Sequence, residues 1–147
     1  MKGYFVFLFM PLLVFISCSV KPEPIDYGSD GCHFCSMTIV DQQHAAQIVT
    51  SKGKAFKFDA AECMMNYLRD MNTADVALYL TNTYHRPGEL TDAIKATYLI
   101  SENIPSPMGE FLTAFDSEEA AKNVQLESQG KLFTWQELKN KFDTKTK

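Results

Sequence analysis

Apolar residues recur along the chain at two spacings, and the switch between them marks out the elements. Met37-Thr38-Ile39-Val40-Asp41 and Ala45 to Thr50 are β-favouring runs and predict extended structure. After a Lys52-Gly53-Lys54 turn, Ala55-Phe56-Lys57-Phe58 alternates as a strand does. The period then changes. Ala61, Met64, Leu68 and Met71 recur at helical spacing and face a core. Asp59, with Glu62 three residues on, predicts the start of that helix as an N-cap in a capping-box-like pair. Asp75 to Asn82 predicts another strand, with Val76, Leu78 and Leu80 on one face. Thr83 to Thr91, interrupted by Pro87 and Gly88, reads as a loop.

The same order then recurs. Ala96 to Ile100 predicts a strand, Ile104 to Gly109 a loop, and Leu112 to Phe115 a strand. A helix follows from Ser117 to about Ser128, ended by Gly130, and then a short strand Lys131-Leu132-Phe133. Asp116 and Glu119 repeat the pair Asp59 and Glu62, and Phe115 repeats Phe58, so two Phe-Asp-x-x-Glu signatures lie 57 positions apart. The pattern predicts an α+β domain built by duplication of a ββαβ unit, over 32–82 and 96–133. Residues 134–147 add a helix, opened by a Thr134/Glu137 capping box and running to about Phe142, and a tail.

The N-terminus has a different character. Lys2 precedes an apolar run, Tyr4 to Ile16, broken only by Pro11, so residues 1–17 read as a secretion signal. The run is short of the roughly 20 residues that a spanning helix needs. It ends in Phe15-Ile16-Ser17-Cys18, which resembles a lipobox and predicts lipidation of Cys18. Residues 18–31 carry Pro22, Pro24, Gly28 and Gly31 and read as a linker that lets a domain over 32–147 stand off the membrane. The expected location is the cell envelope, lipid-anchored and facing the periplasm, in a leaflet that the sequence does not choose. With 18 acidic against 14 basic residues the chain is mildly acidic, which argues against nucleic acid as a partner.

Sulfur is concentrated in Cys32-His33-Phe34-Cys35-Ser36-Met37. With Cys18 lipidated, three thiols remain, Cys32, Cys35 and Cys63. An odd count in an oxidising compartment leaves at least one unpaired. Four readings of Cys32-x-x-Cys35 compete. Thiolate and thioether ligands select a soft ion such as Cu(I), and Met37 supports that. A redox pair usually sits where a strand meets a helix, whereas this motif leads into an extended run. Half a zinc site lacks its second half. A structural disulfide is the plainest alternative. His33 can add an imidazole; His44 and His85 have no spacing that ties them to the motif. Cys63, in the first turn of the predicted helix, is placed for a lowered pKa and is a plausible ligand. Met64 and Met71 fit the apolar stripe and read as core. Met108, between Pro107 and Gly109 in a loop, either presents its sulfur or plugs the domain.

Taken together these residues resemble the NosL family of copper-chaperone lipoproteins. The resemblance rests on four motifs in order: Phe15-Ile16-Ser17-Cys18, Cys32-x-x-Cys35-x-Met37, Phe58-Asp59-x-x-Glu62-Cys63-Met64 and Ser106-Pro107-Met108-Gly109. It covers Cys32 to about Phe115, and more loosely reaches Trp135. Ser36 stands where the family commonly has Gly, and Ser106 where it often has Thr. The resemblance implies two related ββαβ units, similar to a domain of organomercurial lyase. It implies Cu(I) held by Cys32 or Cys35 and by Met108. All three are expected near the ion, with Met37, His33 and Cys63 as second choices. It further implies a partner complex of an ABC-type transporter with an accessory periplasmic protein. The final recipient would be the copper-sulfur centre of nitrous oxide reductase. No catalysis is expected, because the sequence offers no nucleophile, base and orienting group in a recognisable arrangement and no phosphate loop. The alternatives are an envelope thiol-disulfide oxidoreductase using Cys32 and Cys35, or a structural lipoprotein without metal.

Overall fold

A computed structural model describes residues 19–144; the secretion signal expected over 1–17 and the lipidation expected at Cys18 lie outside the described residues. The alternating segments pair as antiparallel strands. β1 (Ala46–Thr50) lies between β2 (Ala55–Phe58) and β3 (Val76–Thr83), and β4 (Arg86–Asp92) extends the sheet beyond β3. Helix α1 (Ala61–Asp70) connects β2 to β3 through a short 3₁₀ turn. The second half repeats the plan. β5 (Thr97–Ile100) lies between β6 (Leu112–Phe115) and β7 (Lys131–Phe133), with α2 (Glu118–Ser128) connecting β6 to β7. In each unit the first strand is central and antiparallel to both neighbours. Phe58 and Phe115 end equivalent strands and are both fully buried. The molecule is thus α+β with two related ββαβ units.

The units share one core. A single cluster of buried side chains includes Ile48, Phe58 and Met64 from the first unit, Tyr98 and Leu112 from the second, and Leu138 and Phe142 from α3 (Trp135–Thr144). Trp135 joins the halves, with its ring 5.3 Å from Tyr79 on β3 and 6.3 Å from Tyr98 on β5. Ala61, Met64 and Leu68 face this core from α1, as their spacing predicts. The Thr134/Glu137 capping box also forms: Thr134 N–H donates to the Glu137 carboxylate at 2.8 Å, and Glu137 N–H to Thr134 Oγ1 at 3.4 Å.

Four local expectations are corrected. Thr83 to Thr91 is not wholly loop, because Arg86–Asp92 forms β4. Pro87 is tolerated there because β4 is an edge strand, largely exposed. Met37 to Asp41 is not a strand; it makes one isolated bridge, Thr38 to Gly31. Asp59 does not cap α1, whose N-cap is Ala60 without a side-chain bond, and Ser117 rather than Asp116 caps α2 by accepting the Ala120 N–H at 3.1 Å. Residues 19–30 form no strand or helix, but neither do they hang free. Gln47 on β1 exchanges two hydrogen bonds with the Glu23 backbone, at 2.9 and 2.8 Å, and Ile25 and Tyr27 pack on the core.

Candidate metal centre

The free edge of β2 organises the site. Its outer backbone groups lack a neighbouring strand, and unpaired edge groups seek partners. The sulfur loop supplies them: His33 N–H donates to the Lys57 carbonyl at 2.9 Å, and Lys57 N–H donates to His33 Nδ1 at 3.3 Å. Lys57 Nζ pairs with Asp30 at 2.6 Å on the same side. The loop closes on itself through Cys32 N–H to the Met37 carbonyl (2.8 Å) and Ser36 N–H to the Cys32 carbonyl (3.0 Å). To do so, Ser36 adopts φ 65°, in the left-handed region that favours glycine.

This fold turns Cys32 inward, where it meets Cys63 from the first turn of α1. The sulfurs of Cys32, Cys35 and Cys63 lie within 4.8 Å of one another, and all three are free thiols. Cys32 and Cys63 are buried, while Cys35 is half-buried at the mouth. The Cys63 thiol donates to the Cys32 sulfur, and the backbone N–H groups of Cys35, Asp59 and Phe34 also bond to it. Together these outweigh burial and hold the Cys32 pKa far below the usual thiol value. Cys63 moves the other way, because giving up its proton would break its bond to Cys32 in a buried place. Burial also raises Cys35. The helix N-terminus therefore does not make Cys63 the thiolate, contrary to expectation. Cys63 is the donor, and Cys32 carries the charge.

Glu62, next to Cys63 on α1, connects the first unit to the second. This buried carboxylate accepts from Ser106 Oγ and from the Leu112 N–H at 3.4 Å, so it ties down both ends of the Pro-Met-Gly loop. Within that loop Gly109 N–H donates to the Ser106 carbonyl at 3.0 Å. The turn places Pro107 where its fixed φ fits and Met108 next along the tip. Met108 is half-buried and packs on the core shared by the two units. Burial raises the pKa of both Glu62 and Asp59, and the Cys32 charge raises Asp59 further. Asp59 Oδ1 and Glu62 Oε2 are buried without a hydrogen-bond partner among the described residues.

The remaining sequence candidates separate cleanly. Met37 is exposed, and its backbone rather than its sulfur is engaged with Cys32. His33 is exposed with Nδ1 occupied, and its ring meets Phe56 edge-on at 5.1 Å. His44 is buried with both ring nitrogens engaged, by Asp41 at 3.0 Å and by Thr113 Oγ1 at 3.2 Å. His85 packs on Tyr84 and Phe115. Met64 and Met65 are core. Sequence reading missed the clamp made by Glu62. The available signal was an Asp-x-x-Glu pair ahead of a helix, which local chemistry assigns to a cap; only the burial of both acids reveals another use.

Chemically, the cluster offers a preformed thiolate and two further thiols at a spacing suited to one soft ion. Because bound sulfur must be deprotonated, entry of an ion would expel the proton of each further thiol that joins Cys32 on it, Cys35 or Cys63. A model of the NosL family matches residues 25–142. A search of curated proteins found no match. Among solved structures, the crystal structure of the copper chaperone NosL from Shewanella denitrificans is similar, with a TM-score of 0.70 and 19% identity, over 81% of this chain and 96% of that one. At that identity the likeness speaks for the fold.

Proposed function

The chain belongs to the NosL family, and on that premise we propose that it is a membrane-tethered carrier of Cu(I). The ion is cargo, held by Cys32 with Cys35 or Cys63 and by Met108. The observation that carries this reading is the convergence of three sulfurs within 4.8 Å, beside a methionine loop clamped by the residue preceding Cys63. Thiolate and thioether together favour Cu(I) over harder ions. The charge on Cys32 lets the ion bind at neutral pH without first removing a proton from that sulfur.

Release follows from the same geometry. Cys35 is the half-buried thiol of the three, so a partner's sulfur can enter beside it before Cys32 lets go. Exchange by ligand replacement keeps the ion bound throughout. In this reading the copper passes to a membrane maturation complex with an ABC-type transporter and finally to nitrous oxide reductase. The lipid on Cys18 confines the search to the membrane surface and raises effective concentration. The chain is then a carrier and not an enzyme. The oxidoreductase alternative is disfavoured by burial of the charged sulfur, Cys32, at 4% exposure, since a disulfide substrate must reach the attacking thiolate.

Competition for Cu(I) with a chromophoric chelator tests the proposal. Reduced protein should retain about one equivalent, Cys32→Ser should lose affinity by about 100-fold or more, and Met108→Ala by about tenfold, given that each tenfold is 1.4 kcal/mol. Failure of the wild type to compete removes the carrier reading. In cells, loss of the gene should leave nitrous oxide reductase without its copper-sulfur centre.

A further inference from the structure

The placement of the N-terminal segment carries a consequence for how the molecule meets the membrane. A free linker over 18–31 would spread its ends by about 20 Å, at roughly 5–6 Å times the square root of its length. The structure leaves no such freedom beyond its first residues. A Cβ built on Gly53 would lie 3.4 Å from the Ser19 carbonyl oxygen, so Ser19 rests on the tip of the β1–β2 turn. Farther on, the Glu23 backbone is held by Gln47, and Asn82 Nδ2 donates to the Tyr27 hydroxyl. Cys18 immediately precedes Ser19 in the chain.

The turn that receives this exit has its own chemistry. Ser19-Val20-Lys21 and Ser51-Lys52-Gly53-Lys54 hold three lysines and no acid, in a chain whose net charge is −4. All three lysines are exposed, and Val20 presents an apolar side chain at 39% exposure. Lys54 Nζ stands over the Phe56 ring, 4.6 Å from its centre. Asp75, whose carbonyl accepts the Ser51 N–H at 2.8 Å, and the exposed Glu23, two residues beyond Lys21, are acids at the same end, so three lysines against two acids leave it with one net positive charge. This is a basic end with an apolar residue, at the point where the chain leaves toward its lipid.

We infer that the β1–β2 turn seats directly on the bilayer, with Lys21, Lys52 and Lys54 on anionic phospholipid headgroups. The inference rests on the lipid-anchored reading of Cys18 proposed above. Each lysine held at an anionic surface is worth about a fivefold change in partition. The seat also fixes the height of the sulfur cluster. β2 climbs away from the turn, and the Cys32 loop bonds to it at Lys57, about 10 Å from Lys54 at 3.3 Å per residue. Copper would therefore be exchanged close to the headgroup layer, with the partner's own membrane-proximal surface, rather than at the end of a long tether.

Photocrosslinking of the full-length lipidated chain in vesicles of phosphatidylcholine and phosphatidylglycerol tests this. An azidophenylalanine replaces Ser51 at the turn or Glu127 on α2, both exposed positions, and intact mass confirms the lipid on each preparation. Crosslinking to phospholipid should favour the Ser51 position over the Glu127 position by about fivefold or more, and Lys52→Glu with Lys54→Glu should cut that preference by about fivefold or more. Equal labelling at the two positions with the lipid present overturns the seat while leaving the anchor intact. A preference indifferent to charge reversal overturns the role of the headgroups. Absence of the lipid in the mass spectrum overturns the anchored reading, and the seat with it.

Discussion

Ser36 shows how a single backbone angle can be seen in a sequence departure. Its φ of 65° costs a non-glycine residue about 1 kcal/mol or more. Ser36→Gly relieves that cost and gives part of it back as unfolded-chain entropy. Its expected effect in chemical denaturation is stabilisation by up to about 1 kcal/mol, with Cu(I) binding preserved. Glu62 presents the opposite case, a residue whose role cannot be read locally. Because its carboxylate holds Ser106 and Leu112, Glu62→Ala should free the methionine loop. Cu(I) affinity in chelator competition should then fall by about tenfold, the loss of one or two hydrogen bonds. Glu62→Gln keeps the accepting oxygen and should stay within about threefold of wild type, or about 0.7 kcal/mol. Equal loss in both variants would assign Glu62 a direct electrostatic part.

Among the elements, the strands and helices with a strong period form where expected, and the exceptions have causes. β4 escaped notice because an edge strand can carry Arg, Pro and Gly and remain exposed. α2 is capped one residue later than the Asp-x-x-Glu signature suggests, since Ser117 supplies the oxygen. The α2–β7 junction is the most constrained. Gly130 has φ 100°, and a Cβ there would fall 2.2 Å from the Ile100 carbonyl oxygen. Gly130→Ala should therefore destabilise by at least about 2 kcal/mol in thermal or chemical unfolding. A change within experimental error would mean that β5 and β7 separate at this point without cost.

For the molecule as a whole, the question is what keeps two similar units in one arrangement. Part of the answer is a shared core, and part is a polar link. His44, just before β1, holds Asp41 through Nδ1 and meets Thr113 on β6 through Nε2. The His44 bond, which outweighs partial burial, holds the Asp41 carboxyl below its ordinary value of 3.8. A group lowered in this way stabilises the fold above its unfolded pKa and loses that contribution as pH falls through the folded value. Wild type should exceed Asp41→Asn by about 1 kcal/mol at neutral pH, and the difference should fade as pH drops below 3.8. A difference that persists at lower pH would place the stabilisation elsewhere. The same link joins the two units, so acid should loosen the joint between them along with the fold.

Hydrophobic period determined the α+β class and most of the helices and strands, because those depend on which side chains must leave water within a few residues of one another, and the repeated Phe-Asp-x-x-Glu signature showed the duplication. The sulfur inventory was equally open to view, since Cys32, Cys35, Cys63 and Met108 needed no neighbours to be noticed. Only the tertiary structure decided which sulfur carries the charge. That depends on Asp59 N–H, which lies 27 positions from Cys32 in sequence, and on a proton donated by Cys63. Likewise it decided that Glu62 is a clamp and that the irregular segment after Ser19 is packed. In each case the physical reason is the same: burial changes what a polar group must bond to, and burial is a property of the whole fold.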